Sequence, residues 1–97
     1  MLLIVDRHCA RVLATLSAQA LIPLLSRDDV AVTPAVAAAL TGRSWPAVVG
    51  ACDRQELPAG GASHRSIRLA ELAKWAGVGS FSASAFSAAL RRVTEDR

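Results

Sequence analysis

Residues 33–58 carry capping residues, prolines and a glycine in an order that predicts two short helices in this stretch. Thr33-Pro34 pairs an N-cap residue with a proline that fits the first helical position, and Gly42 ends that helix. Ser44 then caps a second helix with Pro46 in its first turn, and Leu57-Pro58 follows its end. Two short helices separated by the sequence TGRS are typical of a helix-turn-helix unit.

The segments on either side of these helices predict a little β-structure. Residues 30–32, VAV, are a short β-branched run that suits one strand. Residues 60–69, GGASHRSIRL, which we call the hairpin segment, begin with two glycines and end in an alternation of polar and apolar residues, SIRL. This alternation directs Ile67 inward and Arg68 outward, as in a short two-stranded ribbon.

Apolar residues at helical spacing predict three further helices. The first begins near Asp6, and Pro23 should end or kink it near Leu21. The second has the sequence AELAKWAG and stops at Gly77, and the last starts at Ser80 or Ser82. The apolar face of the first helix is Val5, Cys9, Val12, Leu13, Leu16 and Ala20, and that of the last is Phe86, Ala89, Leu90 and Val93.

The composition is that of one domain with more apolar residues than a small core can hold. The chain has 97 residues, of which 53% are hydrophobic and 20% charged. The mean hydropathy of +0.36 favours self-association or a protein partner. The net charge of +3 is only mildly basic, so the positions of the ten arginines and of Lys74 matter more than their sum.

Several function classes find no support in the sequence. Cys9 and Cys52 are too few for a disulfide framework, the start lacks a signal peptide, and no apolar run reaches the roughly 20 residues of a membrane span. We therefore expect a cytoplasmic protein. No catalytic constellation, phosphate-binding loop or metal-ligand spacing is present, so we expect no enzymatic activity, cofactor, metal or small-molecule substrate.

Residues 32–75 resemble the excisionase-like winged helix-turn-helix domains, relatives of the DNA-binding domain of mercury-resistance regulators. The resemblance rests on the sequences VTPAVAAALTGRSWPAVVGACDRQELP, GGASHRSIRL and AELAKW. It implies a single, mainly α domain over residues 1–97, with a winged helix-turn-helix and its small two-stranded β wing over 30–77. Residues 1–29 are then an N-terminal helical extension, and residues 78–97 a C-terminal helix. The matching positions are Thr33, Gly42, Ser44, Glu56, Leu57, Pro58, His64, Arg65, Ile67, Arg68, Leu69, Leu72 and Trp75.

The resemblance implies binding to double-stranded DNA, with the second helix in the major groove and the hairpin segment acting as the wing. The second helix lacks the polar residues that the family carries there, and its Asp53 would be repelled by phosphate. Sequence readout would then depend on groove shape and on thymine methyl groups. The candidate DNA-binding residues are Arg43, Ser44, Trp45, Ala47, Val49, Arg54, His64, Arg65 and Arg68.

Two functions fit this pattern. One is a DNA-binding accessory protein, such as a recombination directionality factor, a phage-type regulator or an antitoxin. The alternative is a protein-interaction module, such as a toxin-binding or phage packaging subunit, with Trp45, Pro46, Val48 and Val49 in an apolar patch. We expect Trp45 to pack as a partly buried anchor. An exposed face from Trp45 to Val49 would favour contact with DNA if it lay beside the wing cations, and with protein if it lay away from them.

The first helix is extra to the winged unit. Because residues 32–75 would already form a complete small fold, we expect this helix to make a homodimer or to bind a protein partner, with the last helix packed against it. A two-fold dimer would present two wings to DNA. The candidate interface residues are Cys9, Val12, Leu13, Leu16, Ala20, Phe86 and Leu90.

Overall fold

A computed structural model describes residues 3–27, 29–60 and 65–95 of the chain. Helices predominate and a small three-stranded sheet accompanies them, which confirms the predicted mainly α class. The elements in chain order are β1 (Leu3–Val5), α1 (Arg7–Leu13), α2 (Ala18–Leu25), β2 (Val30–Val32), α3 (Pro34–Thr41), α4 (Trp45–Asp53), β3 (Ile67–Arg68), α5 (Leu69–Ala76) and α6 (Ala83–Glu95).

The sheet has the order β1-β2-β3 and contains a strand that the sequence did not predict. β1 runs parallel to β2, with Leu3 opposite Val30 and Val5 opposite Val32. β3 pairs antiparallel with the other edge of β2, placing Ile67 opposite Val32. The predicted strand at 30–32 is confirmed as the central one, and all three of its residues are buried.

The prediction of one helix from Asp6 to Leu21 is wrong. The Asp6 carboxylate caps α1 by accepting from the Cys9 amide, but the last bonds of this turn tighten and α1 ends at Leu13. Ser17 then caps α2 with its hydroxyl oxygen. Pro23 lies inside α2 on its exposed side, where solvent can replace the lost amide donor, so it does not end the helix.

The helix pair around residue 42 forms as its capping residues predict. Thr33 occupies the N-cap of α3 before Pro34, although its side chain accepts no capping hydrogen bond. Gly42 follows α3 with a left-handed φ of 71°, a conformation that favours glycine, and its amide bonds to the Ala38 carbonyl. The predicted stop of α5 at Gly77 is also confirmed, by a left-handed φ of 79°.

The terminal segments share one core with the middle of the chain. α6 packs against α1, α2 and α3, and its cap is Ser82, whose hydroxyl accepts from the Ala85 amide. The core of residues 32–75, which the sequence predicts to be a complete small fold, is thus continuous with elements from both ends of the chain. The fully buried large side chains are Val5, Leu21, Val30, Val32, Val36, Val48, Leu57, Ile67, Leu72, Phe86 and Leu90.

Candidate nucleic-acid interface

The turn between α3 and α4 holds one cation in a defined place. Gly42 reverses the chain, and the Ser44 hydroxyl accepts from the Ala47 amide at 3.2 Å to start α4. Arg43 stands between these two caps and is exposed. Its guanidinium lies over the Trp75 ring, 4.9 Å from the centroid, so α5 fixes it without neutralising its charge.

The solvent-facing side of α4 is apolar. Val48 and Ala51 point into the core, whereas Ala47 is exposed and Val49 is half-buried. Trp45 is 55% exposed, so the expectation that it packs as a partly buried anchor is wrong. Its position in the first turn of α4 leaves it without an overlying element, and the face from Trp45 to Val49 is therefore accessible to a partner.

An ion pair joins the C-terminal end of α4 to the hairpin segment. Arg65 Nη2 lies 2.6 Å from Asp53 Oδ1, across twelve residues of sequence. Asp53 is the only acidic residue in α4, so this bond neutralises the carboxylate that would repel phosphate. The side chains keep 35% and 58% of their exposure, and such surface pairs are weak enough to exchange partners.

Arg54 lies back along α4 instead of projecting from it. Its guanidinium bonds to the Glu56 carboxylate, and it passes so close to Gly50 that a Cβ there would lie 3.0 Å from Arg54 Nη1. Arg54 is thus a paired cation beside the candidate surface.

Arg68 is the outward cation of the hairpin segment. Ile67 is buried and Arg68 exposed, which confirms the predicted alternation, and within the described ranges no carboxylate forms an ion pair with Arg68. The pairing of Gly60 with Ser66, through bonds of 2.9 and 3.0 Å, draws the two sides of the segment together. His64 lies outside the described residues.

The candidate interface residues of the terminal helices divide into three groups. Phe86 and Leu90 are fully buried inside the chain, so their assignment to an intermolecular interface is wrong: the apolar face of α6 is covered by helices of the same chain. Cys9 and Leu13 are half-buried against this core. Val12, Leu16 and Ala20 are exposed and are the members of the group that a partner can reach.

Both cysteines are structural in character. Burial raises the pKa of the Cys9 thiol above its usual value, and the Asp6 carboxylate adds to this effect. Burial likewise raises the pKa of the Cys52 thiol; Arg65 opposes this rise and Asp53 reinforces it. Neither thiol is activated as a nucleophile by these surroundings.

The sequence did not indicate two arginines that lie near Arg43 and Trp45 in the folded chain. Arg7 begins α1 and Arg92 lies near the end of α6, yet both line one cleft with Arg43 and Trp45. The Arg92 Nη2 atom donates to the Ala39 carbonyl oxygen at 2.8 Å. Only the packing of α1, α3 and α6 brings these side chains together, and no local motif marks them.

Comparison of the chain with protein-family models, with curated proteins and with solved structures gives no match. None of the helices in the described ranges has both the length and the apolar character needed to span a bilayer. In the same part of the chain, His, Cys, Asp and Glu side chains nowhere gather in groups of three that could hold a metal ion.

Proposed function

We propose that the chain is a winged helix-turn-helix protein that binds double-stranded DNA mainly through its phosphate backbone. In this proposal α3 and α4 are the helix-turn-helix, the hairpin segment is the wing, and the protein is a cytoplasmic accessory or regulatory factor of the excisionase, phage-regulator or antitoxin kind. The succession of β2, α3, α4, hairpin segment and α5 supports this assignment.

The observation that carries the proposal is the bond between Asp53 and Arg65. In this bond Arg65 of the proposed wing lies next to the C-terminal end of α4, which supports a single duplex contacting both elements. The bond also leaves this surface with a positive balance, since Asp53 is compensated while Arg43 and Arg68 keep their charge. The exposed apolar residues of α4 offer methyl and ring contacts in place of donors to base edges.

The direct test is a fluorescence-anisotropy titration of the wild-type protein with random-sequence duplex DNA at low and high salt. We expect binding at low salt that weakens as salt rises, by about 0.9 in the logarithmic slope for each phosphate engaged. Absence of binding at low salt would contradict the proposal.

Breaking the ion pair should strengthen DNA binding. We expect Asp53→Asn to lower the free energy of unfolding by less than about 1 kcal/mol, because the pair is exposed. The same change frees Arg65 for phosphate and steepens the salt slope by up to about 0.9. Glu95→Gln removes the same charge from the end of α6 and serves as the control; weaker DNA binding by Asp53→Asn alone would count against this use of Arg65.

A protein-interaction module is the second candidate function, and the exposure of Trp45 favours it. The face from Trp45 to Val49 would then be a docking surface for a toxin or a phage assembly partner. This candidate differs from the first in the expected effect of salt. An apolar docking surface gains little from low salt, whereas a phosphate-binding surface depends on it.

We further propose a homodimer formed through the N-terminal apolar patch, which consists of Val12, Leu16 and Ile22. Val12 lies on α1 and is 62% exposed, Leu16 lies in the turn between α1 and α2 and is 39% exposed, and Ile22 lies on α2 and is 51% exposed. Large apolar side chains exposed on neighbouring elements favour a covered surface when they adjoin one another. A second copy of the chain would cover it and present two wings to one duplex.

Charging this patch should abolish the dimer without unfolding the protein. We expect Val12→Glu/Leu16→Glu to sediment as a monomer at all concentrations, since carboxylates at the patch oppose its burial. Glutamates introduced at the exposed residues Gln19 and Thr15 provide a control that should leave association unchanged. A wild-type protein that is monomeric at every concentration would contradict the dimer.

A further inference from the structure

A cleft of about 420 Å³ lies between α3, the start of α1 and the end of α6. Its floor consists of small residues of α3, Ala35, Ala38 and Ala39, which leave room above the helix. Its walls include three arginines and one tryptophan, and none of the residues lining it, all from the described part of the chain, is acidic. The wall residues are Arg7, Arg43, Trp45, Arg92 and Val93.

Two of the three arginines that line this cleft contact neutral partners. Arg92 donates to a backbone carbonyl of α3 at 2.8 Å, and Arg43 rests on the Trp75 ring. Within the described residues, Arg7 forms no ion pair either. By contrast, Arg27, Arg54 and Arg65 each bond to a carboxylate. The cleft therefore collects three positive charges that no side chain of the described ranges compensates, and an anion is the ligand that such a site favours.

The groups around the cleft suit a phosphorylated ligand with an aromatic ring. A planar guanidinium binds two phosphate oxygens at once, and three of them match a ligand that carries more than one negative charge. Trp45 is 55% exposed, and an accessible indole ring can stack on a nucleobase. The volume lies in the range of about 300–1,000 Å³ that is typical of small-ligand sites.

We propose that this cleft binds a nucleoside phosphate, with the phosphoryl group among Arg7, Arg43 and Arg92 and the base against Trp45. The ligand is either a free nucleotide or the phosphorylated end of a nucleic-acid strand. Arg7 and Arg92 take no part in the proposed duplex interface, so this inference does not depend on the proposed DNA binding. Arg43 and Trp45 belong to both surfaces, and an occupied cleft would compete with duplex DNA for them.

The test is a titration of the full chain with ADP, adenosine, inorganic phosphate and a 5′-phosphorylated single-stranded trinucleotide, followed by tryptophan emission. We expect saturable quenching by ADP or by the trinucleotide, and binding at least about tenfold weaker for adenosine and for phosphate, each of which provides one half of the contacts. Tighter binding of ADP identifies a free nucleotide as the ligand, and tighter binding of the trinucleotide identifies a strand end.

Variants separate this site from general charge effects. Arg7→Gln/Arg92→Gln should weaken nucleotide binding at least about tenfold, whereas Arg11→Gln/Arg91→Gln, which removes the same charge from exposed positions, should change it less than about twofold. Trp45→Ala lies at an exposed position that does not threaten folding, and its binding is measured by isothermal titration calorimetry because the variant lacks the reporter indole. It should bind ADP more weakly and phosphate as the wild type does. Equal losses in both double variants, or no saturable signal from either nucleotide probe, would overturn the proposal.

Duplex DNA binding measured on Arg7→Gln/Arg92→Gln should equal that of Arg11→Gln/Arg91→Gln, so failure at one surface is distinguishable from failure at the other.

Discussion

Replacing Phe86 with alanine should lower the free energy of unfolding by about 3–5 kcal/mol. Phe86 is fully buried, and it lies on the face of α6 that packs against α1, α2 and α3. Its removal leaves a cavity where the terminal segments meet the helix pair. Small domains have a total stability of about 5–15 kcal/mol, so a loss of this size removes a large part of the free energy that keeps the variant folded.

Urea denaturation followed by circular dichroism measures this loss. Val78→Ala is the matched control, because Val78 is 45% exposed and its truncation should change stability by less than about 0.5 kcal/mol. A loss for Phe86→Ala as small as that of the control would mean that α6 is an appendage and not part of the core.

The double variant Arg43→Ala/Arg68→Ala should bind duplex DNA with a salt slope smaller by about 1.8, or about 0.9 for each cation removed. Between about 50 and 200 mM salt, the wild type should then lose about tenfold more affinity than the variant. Both residues are exposed and hold their charge without a carboxylate partner in the described ranges. The loss should be similar for every DNA sequence, because phosphate contacts position the protein without reading bases.

Arg11→Ala/Arg91→Ala provides the matched comparison for this prediction. It removes two exposed arginines from α1 and α6 and changes the net charge equally. If both double variants flattened the salt dependence to the same extent, the effect would come from net charge, and the assignment of Arg43 and Arg68 as contacts would be wrong.

Local capping chemistry made the middle of the fold predictable, and long-range packing made the ends unpredictable. Gly42, Ser44 and Gly77 act on their own turns, so their sequence positions alone indicate where helices begin and end. β1 forms by pairing with β2, and the paired residues Leu3 and Val30 are 27 positions apart in the sequence. An apolar face such as that of Phe86 and Leu90 predicts burial, but the sequence does not say whether the same chain or a second copy covers it.

The candidate site shows the same division. The outward direction of Arg68 follows from strand alternation, and the position of Arg43 follows from the turn. The ion pair of Asp53 with Arg65 depends on how the hairpin segment folds back on α4, and the cleft arginines come from opposite ends of the chain. Sequence spacing does not predict such contacts. Arg65 and Arg68 therefore look equivalent in the sequence, but in the described ranges only Arg65 forms an ion pair.

The proposed DNA-binding surface can be tested directly by titrating unlabelled duplex DNA into ¹⁵N-labelled protein and following the amide chemical shifts. We expect shifts at residues 43–47, in the turn before α4 and in its first residues, and at residues 65–68 of the proposed wing, with α1 and α2 unchanged. Shifts confined to α1 and α2, or no shifts at a salt concentration where anisotropy reports binding, would contradict a duplex held between α4 and the wing.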